Sequence, residues 1–149
     1  MKVYLGSDHG GYELKERIKS WLQEWGYAFE DMGATRFDPS DDYPDFIIPV
    51  ARRVSSEKGS LGVVLGRSGS GEAIAANKVR GVRAAVCLNE EMAKKAREKN
   101  NANVLSLGGD LVDEAVAKRI VKVFLETPFS EEERHKRRLG KIDEVERGQ

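Results

Sequence analysis

The stretch from Leu61 to Lys78, LGVVLGRSGSGEAIAANK, limits the choice of fold more than any other part of this chain. Val63, Val64 and Leu65 form a short, largely β-branched run, as expected of a strand buried on both faces of a parallel sheet. Gly66, Gly69 and Gly71 follow, and glycine permits tight turns and lets a ligand approach the main chain. Ala73 to Asn77 is helix-forming sequence, so the glycine loop is expected to feed a helix N-terminus. Backbone N–H groups there lack partners, and the helix dipole favours negative charge. The loop therefore predicts an anion-stabilising site, with Glu72 placed at its mouth. The alternative is an ordinary strand-to-helix turn in which Glu72 merely complements the dipole.

Two phosphate-binding loops fail against this stretch. A P-loop, G-x-x-x-x-G-K-[ST], would use Gly66 and Gly71, but Glu72 stands where lysine is required and would repel a triphosphate. The dinucleotide fingerprint G-x-G-x-x-G would use Gly69 and Gly71, but Ile74 occupies the third glycine position. What remains is a loop able to hold a small oxyanion beside a carboxylate base.

The rest of the chain alternates strand and helix signals. Val3–Leu5, 27–32, 63–65, 82–88 and 104–107 read as strands. Leu14, Ile18, Trp21, Leu22 and Trp25 recur at helical spacing, with Glu13, Lys15, Glu16 and Lys19 mostly elsewhere on the wheel. Gly26 is placed to end that helix. Phe46, Ile47, Val50, Ala51 and Val54 form a second stripe, with Pro49 early in it. Residues 90–99 read as a helix supported by Glu90–Lys94 and Glu91–Lys95 pairs. Val112, Val116, Ile120, Val123 and Phe124 mark the next, broken at Thr127-Pro128. Ser130 with Glu133 has the capping-box pattern of a last helix, with Leu139, Ile142 and Val145 on one side. The terminal Glu146–Gln149 is expected to fray.

This alternation predicts a three-layer α/β/α sandwich with a five-stranded parallel, Rossmann-like sheet, formed by one domain over 1–149. Ligands of such sheets bind outside the carboxyl ends of the strands, near a topological switch point. Ser7–Gly11, Gly66–Glu72 and the segment after the fifth strand should meet there.

With 25 basic and 25 acidic residues the formal charge is zero, so no general attraction to nucleic acid or membrane follows. No apolar run is long enough to span a bilayer, and no signal peptide is apparent. Cys87 is the only cysteine, which excludes an internal disulfide and fits a reducing cytoplasm. It lies in an apolar run and reads as a buried structural thiol.

Outside the glycine loop, Asp8-His9 follows the first strand, where Asp8 could either cap the next helix or act in a site. Arg134 and Arg138 share a helical face and suit a phosphate, or form a solvated basic turn around His135. The acidic loop Asp38, Asp41, Asp42, Asp45 lacks the glycine and terminal glutamate of an EF-hand and reads as a solvated loop with caps. Tyr43 within it is a candidate for reaching a pocket. Two scattered histidines make no metal site.

Five blocks, Gly6-Ser-Asp-His-Gly-Gly-Tyr-Glu-Leu-Lys15, Asp42-Tyr-Pro44, the loop and helix from Gly66 to Lys78, Asn100-Asn101, and Arg134-His-x-x-Arg138, resemble the type B ribose-5-phosphate isomerases and the related galactose-6-phosphate isomerase subunits. The resemblance runs nearly the full length. One branch of that family uses a cysteine at the end of the third strand as base; this chain has Gly66 there and resembles the branch with a glutamate at position 72. The resemblance implies aldose–ketose isomerisation through a cis-enediolate. Glu72 would move a proton between C2 and C1, and Ser68 would relay one between O1 and O2. The Arg67, Gly69, Ser70 and Gly71 loop would hold the oxyanion. Asp8 and Asn100 would contact sugar hydroxyls, with Tyr43 beside them, and His9, Arg134 and Arg138 would hold the phosphate. The arginines come from a second subunit in that family, so a homodimer is implied, with the helix over 130–147 packing on the partner and dimers able to pair into tetramers. No metal or organic cofactor is implied.

The chain departs from the family pattern at three positions. Lys99 stands where most members have a ring-opening histidine, Asp110 where many have a phosphate-binding arginine, and Arg67 where glycine is usual. Asp110 is expected to pair either with Lys99, leaving Arg67 for the phosphate, or with Arg67, in a pocket for an unphosphorylated sugar. Three functions are thus in play: a cofactor-free sugar-phosphate isomerase, an isomerase of another sugar, and a sugar-phosphate-binding module without turnover. Retention of Glu72, Ser68 and the glycines weighs against the last, because binding alone needs no base.

Overall fold

The computed structural model describes residues 1–149. Five strands, β1 (Lys2–Ser7), β2 (Ala28–Asp31), β3 (Leu61–Gly66), β4 (Ala84–Val86) and β5 (Val104–Gly108), form one parallel sheet in the order β2-β1-β3-β5-β4. The helices are α1 (Tyr12–Trp25), α2 (Pro44–Ser56), α3 (Ser70–Asn77), α4 (Glu90–Asn100), α5 (Glu114–Glu126) and α6 (Glu133–Arg147). Strand order reverses between β1 and β3, which places the switch-point crevice at the ends of those two strands.

The alternation of strand side chains divides the core in two. Val3, Leu5, Leu61, Val63, Leu65, Leu105 and Leu107 face the layer containing Ile18, Leu22, Ile120 and Phe124. Tyr4, Val64 and Val104 face a smaller layer with Ile47, Val50, Ala51 and Val54 of α2. Gly62 lies on this second face; a Cβ there would sit 3.0 Å from side-chain atoms of both Val50 and Val54, so α2 packs almost directly on the backbone. Gly26 ends α1 in the left-handed conformation, as its position suggested. Pro49 lies inside α2 without ending it, and Pro44 takes the first turn.

Several local expectations are corrected. The fourth strand forms only over Ala84–Val86, because Gly81 (φ 82°) and the Val82 N–H to Val79 carbonyl bond keep the preceding residues in a turn. Ser130 does not cap the last helix: Glu132 is its N-cap and makes no side-chain cap bond, while the Ser130 N–H reaches the Glu98 carbonyl at 3.1 Å. Glu91 pairs with Lys95 at 3.0 Å, but Glu90 turns to Arg119 of α5 at 2.9 Å and leaves Lys94 to Glu98. Lys15 is fully buried, with its ammonium donating to Asp31 at 2.7 Å and to the Ala34 carbonyl at 2.6 Å. The C-terminus is tied down rather than frayed: Glu146 accepts from the Gly81 N–H at 3.0 Å, and Arg80 donates to the Gln149 carbonyl at 2.7 Å. No helix is long and apolar enough to cross a membrane.

Candidate active site

Three loops meet at the carboxyl ends of β1, β3 and β5. Their backbones are interlocked: the Gly109 N–H donates to the Gly66 carbonyl at 2.8 Å, and the Asp110 N–H to the Arg67 carbonyl at 3.0 Å. A Cβ on Gly108 would lie 2.6 Å from the Ser68 carbonyl carbon, so only glycine lets β5 close on the loop. Ser106, fully buried in β5, donates its hydroxyl to the Gly69 carbonyl at 2.7 Å. Gly69 itself has φ 83°, the conformation that turns the loop into α3.

Glu72, in the first turn of α3, is folded back into this loop and only 5% exposed. Its carboxylate lies against Gly66, in the volume a Cβ at that position would occupy. Oε2 is buried without a hydrogen-bond partner. Burial pushes the Glu72 carboxyl above the usual carboxylate range; its own backbone N–H pulls the other way, and the charge of Asp8 adds to the rise. A buried carboxylate with an idle oxygen and a raised proton affinity is what a general base near neutral pH requires.

The other loop residues surround it. Ser68 Oγ accepts from the Ser70 N–H at 3.2 Å, which leaves the hydroxyl proton free to be donated. The Gly71 N–H, in the first turn of α3, has no intrahelical partner. Tyr43 crosses from the N-terminus of α2 and covers Gly71, where a Cβ would meet its phenol at 2.8–2.9 Å. Asp8, mostly buried, accepts from the Gly10 N–H at 2.9 Å, so it caps the 3-10 turn His9–Gly11 while its charge acts on Glu72. His9 Nδ1 bonds to Asp41 Oδ1 at 2.7 Å, the carboxylate oxygen accepting, and the His9 backbone N–H donates to the same oxygen at 3.1 Å. Arg67 lies across Gly10 and pairs with Asp110 at 3.7 Å, both side chains being well exposed. These two, with His9, Tyr12, Phe37 and Asp113, line a cleft of about 970 Å³.

Four expected site residues lie elsewhere in the chain. Lys99 and Asn100 end α4, just ahead of the start of β5, whereas Glu72 lies past the end of β3. The two ends of the strands are separated by roughly 15 Å, the length of a five-residue strand. Of the two pairings expected for Asp110, the one with Lys99 is therefore ruled out and the one with Arg67 is formed. Arg134 and Arg138 are exposed on α6, which packs along α4; Arg134 reaches only Glu132, at 3.4 Å. Within one chain none of the four meets Glu72.

Two contributors escaped the sequence reading. In sequence Asp41 reads as part of a solvated acidic loop, yet its side chain is only 9% exposed and holds His9. Ser106 was read only as strand; a serine within Val104-Leu-Ser-Leu107 was the available signal of a buried polar contact. Asp8, His9 and Asp41 bring ligand atoms within 4.8 Å of one another, the one grouping here that could hold a metal ion. The His9–Asp41 hydrogen bond accounts for their closeness without one.

Fold and site together define an open α/β protein with a buried carboxylate beneath a glycine loop at the switch point of its sheet. The chain belongs to the ribose/galactose isomerase family, whose sequence model matches residues 3–142, and is accordingly an aldose–ketose isomerase. A ribose-5-phosphate isomerase B of Mycobacterium tuberculosis is 50% identical over 147 residues, covering 99% of this chain and 91% of its own. The solved structure of the Clostridium thermocellum ribose-5-phosphate isomerase B is 47% identical, with a TM-score of 0.95 and 99% of each chain covered. That of Mycoplasma genitalium, which contains bound ribulose-5-phosphate, is 38% identical, with a TM-score of 0.95 and coverage of 99% and 97%.

Proposed function

We propose that this chain interconverts ribose 5-phosphate and ribulose 5-phosphate through a cis-enediolate, with Glu72 as the base. The buried Glu72 carboxylate, lodged against Gly66 beneath the glycine loop, is the observation that carries this reading. Glu72 takes the proton from C2 of the open aldose, and the electron pair moves through C1 onto O1. Loop N–H groups, Gly71 foremost, stabilise the charge that develops there. Ser68 passes a proton from O2 to O1, and Glu72 returns its own to C1, leaving the carbonyl at C2. No electron leaves the sugar, so the chemistry consumes no redox cofactor. Asp8 and Tyr43 orient hydroxyls, while His9 and Arg67 face the phosphate. The ribulose-5-phosphate complex of the Mycoplasma genitalium relative supports this choice of sugar. The absence of a long apolar helix and the single, buried thiol are compatible with a cytoplasmic enzyme.

The four stranded residues support a homodimer with shared sites. An isologous pairing presents one surface twice, so Lys99, Asn100, Arg134 and Arg138 of each chain can complete the other's Glu72 loop. Ile142 and Val145 on α6, 57% and 67% exposed, give that helix an apolar face for a partner. Mixing a Glu72→Gln chain with an Arg134→Ala/Arg138→Ala chain should then restore activity that neither has alone. Absence of recovery in a verified heterodimer would exclude shared sites.

A second reading, an isomerase for an unphosphorylated or different sugar, draws on Asp110, an acid paired with Arg67 where a phosphate would lie. Assaying pentoses and hexoses, with and without phosphate, for aldose–ketose interconversion separates the two. The first reading expects ribose 5-phosphate to give the highest kcat/KM. A higher value for a free sugar would replace it with the second.

A further inference from the structure

We propose that Asp41 is a positioning residue: it fixes His9 in the tautomer that carries its proton on Nδ1 and so presents Nε2 to the phosphate of the substrate. Asp41 comes from the loop before α2, 32 residues from His9, and its side chain is nine-tenths buried. Both hydrogen bonds its side chain makes go to His9, one to the backbone N–H and one to ring Nδ1, and both use Oδ1. Oδ2 is buried with no partner. A buried carboxylate whose every protein bond is spent on one residue is explained by that residue.

A carboxylate oxygen 2.7 Å from Nδ1 can only accept, so the proton sits on Nδ1. Asp8 Oδ2 is 3.9 Å from the same nitrogen, too far to compete, so Asp41 alone sets the tautomer. Phe37 stacks edge-on against the imidazole at 6.3 Å and restrains its plane. Nε2 is left without a protein partner, in the cleft shared with Gly10, Arg67 and Asp110. A free histidine side chain favours the opposite tautomer, with the proton on Nε2. Asp41 overrides that preference, and it supplies the counter-charge when a phosphate binds with a proton between its oxygen and Nε2. The order is that of a second acid orienting a ligand-binding imidazole, here toward a phosphate monoester.

This inference rests on the phosphate-binding reading given above, and the test separates the two. The chain has only two histidines, so a His9→Ala spectrum assigns the nitrogen NMR signals of His9 and His135 directly. In the wild type, His9 should show a protonated Nδ1 and an unprotonated Nε2, and added inorganic phosphate should perturb Nε2. In Asp41→Ala the tautomer should invert. Its KM for ribose 5-phosphate should rise roughly 10–100-fold, as expected for loss of a bond to a charged group, with a smaller change in kcat. Asp41→Asn retains an acceptor oxygen and should recover the tautomer and part of the KM. Because Asp41 acts through His9, adding Asp41→Ala to His9→Ala should cost nothing more. Additive losses, or a wild-type His9 already protonated on Nε2, would overturn the proposal. If the wild type fails to turn over ribose 5-phosphate, the functional reading falls while the tautomer and the phosphate titration still decide the role of Asp41.

Discussion

Replacing Glu72 by glutamine should abolish most of the activity and make the protein more stable at neutral pH. If Glu72 is the base, its loss should lower turnover roughly 10²–10⁴-fold. The stability gain follows from burial. Glu72 keeps one oxygen without a partner, its carboxyl is raised chiefly by desolvation, and Asp8 is the like charge acting on it. An amide of nearly the same shape removes the charge and with it the repulsion by Asp8. Leaving a buried polar group unpaired costs about 1–3 kcal/mol, so the variant should gain up to that amount. For a chain of this length each kcal/mol shifts Tm by roughly 2–4 °C. The pH dependence is the sharper measurement. A carboxyl raised in the folded state contributes its stability fully below the unfolded value, and that contribution is lost as pH rises through the folded value. Wild type and variant should therefore melt alike in acid, where both side chains are neutral, and diverge as pH rises toward neutrality. Taking the difference between the two melting curves cancels the titrating groups that do not interact with Glu72. A variant less stable than wild type at pH 7, or a gap that does not change with pH, would refute the account of Glu72 as a strained, buried base.

Three further outcomes follow from the same geometry. Asp8→Asn removes the lesser of the two influences that raise Glu72, so the acid limb of the kcat/KM profile should move to lower pH; an unmoved limb would mean that burial alone sets it. Burial pushes the Cys87 thiol up to about 11, so native protein should resist alkylation at neutral pH, and Cys87→Ser should stay active; rapid native labelling would contradict this. Arg67→Gly should raise KM for ribose 5-phosphate by the equivalent of one charged hydrogen bond, about 1.5–3 kcal/mol, because its exposed pair with Asp110 is too weak to withhold it. An unchanged KM would leave Arg67 as a partner of Asp110 only.

What the sequence disclosed, and what it hid, follows from the range of each signal. The β-branched run at Val63–Leu65 and the stripes of α1 and α5 state the burial of their own neighbourhoods, so the parallel sheet was legible. The rule that ligands bind past the strand ends then brought Asp8, His9 and the glycine loop together without coordinates. The role of Asp41 was not legible, since an acid 32 residues from His9 in a charged loop looks like any solvated aspartate. The sequence left Asp110 two partners, and only the structure chooses Arg67, because α4 carries Lys99 to the opposite end of the strands. The shortened β4 is an edge effect: with β5 as its only neighbour, little besides Gly81 decides where pairing begins.

The placement of Glu72 also implies that a side chain at position 66 and a base at position 72 exclude each other. The Glu72 carboxylate fills the space where a Cβ on Gly66 would project, at the end of β3 beneath the loop. Gly66 has no Cβ, so the carboxylate can occupy the same point from which a short side chain on β3 would act. A base supplied from the strand and a base supplied from the helix are thus two routes to one position, and one chain has room for one of them. Gly66→Ala should therefore displace the carboxylate and remove activity as thoroughly as Glu72→Gln, although alanine touches no substrate atom. Gly66→Cys combined with Glu72→Ala should regain part of it, because the thiol then enters the vacated space near the N-terminus of α3, where a thiolate is favoured. That recovery should grow as pH rises and more thiol ionises, and alkylation should erase it, whereas wild-type turnover should be insensitive to the reagent. Steady-state rates of the three variants, each checked for a native melting transition, decide the matter. A fully active Gly66→Ala protein would mean that the carboxylate does not need that space, and the mutual exclusion would fail.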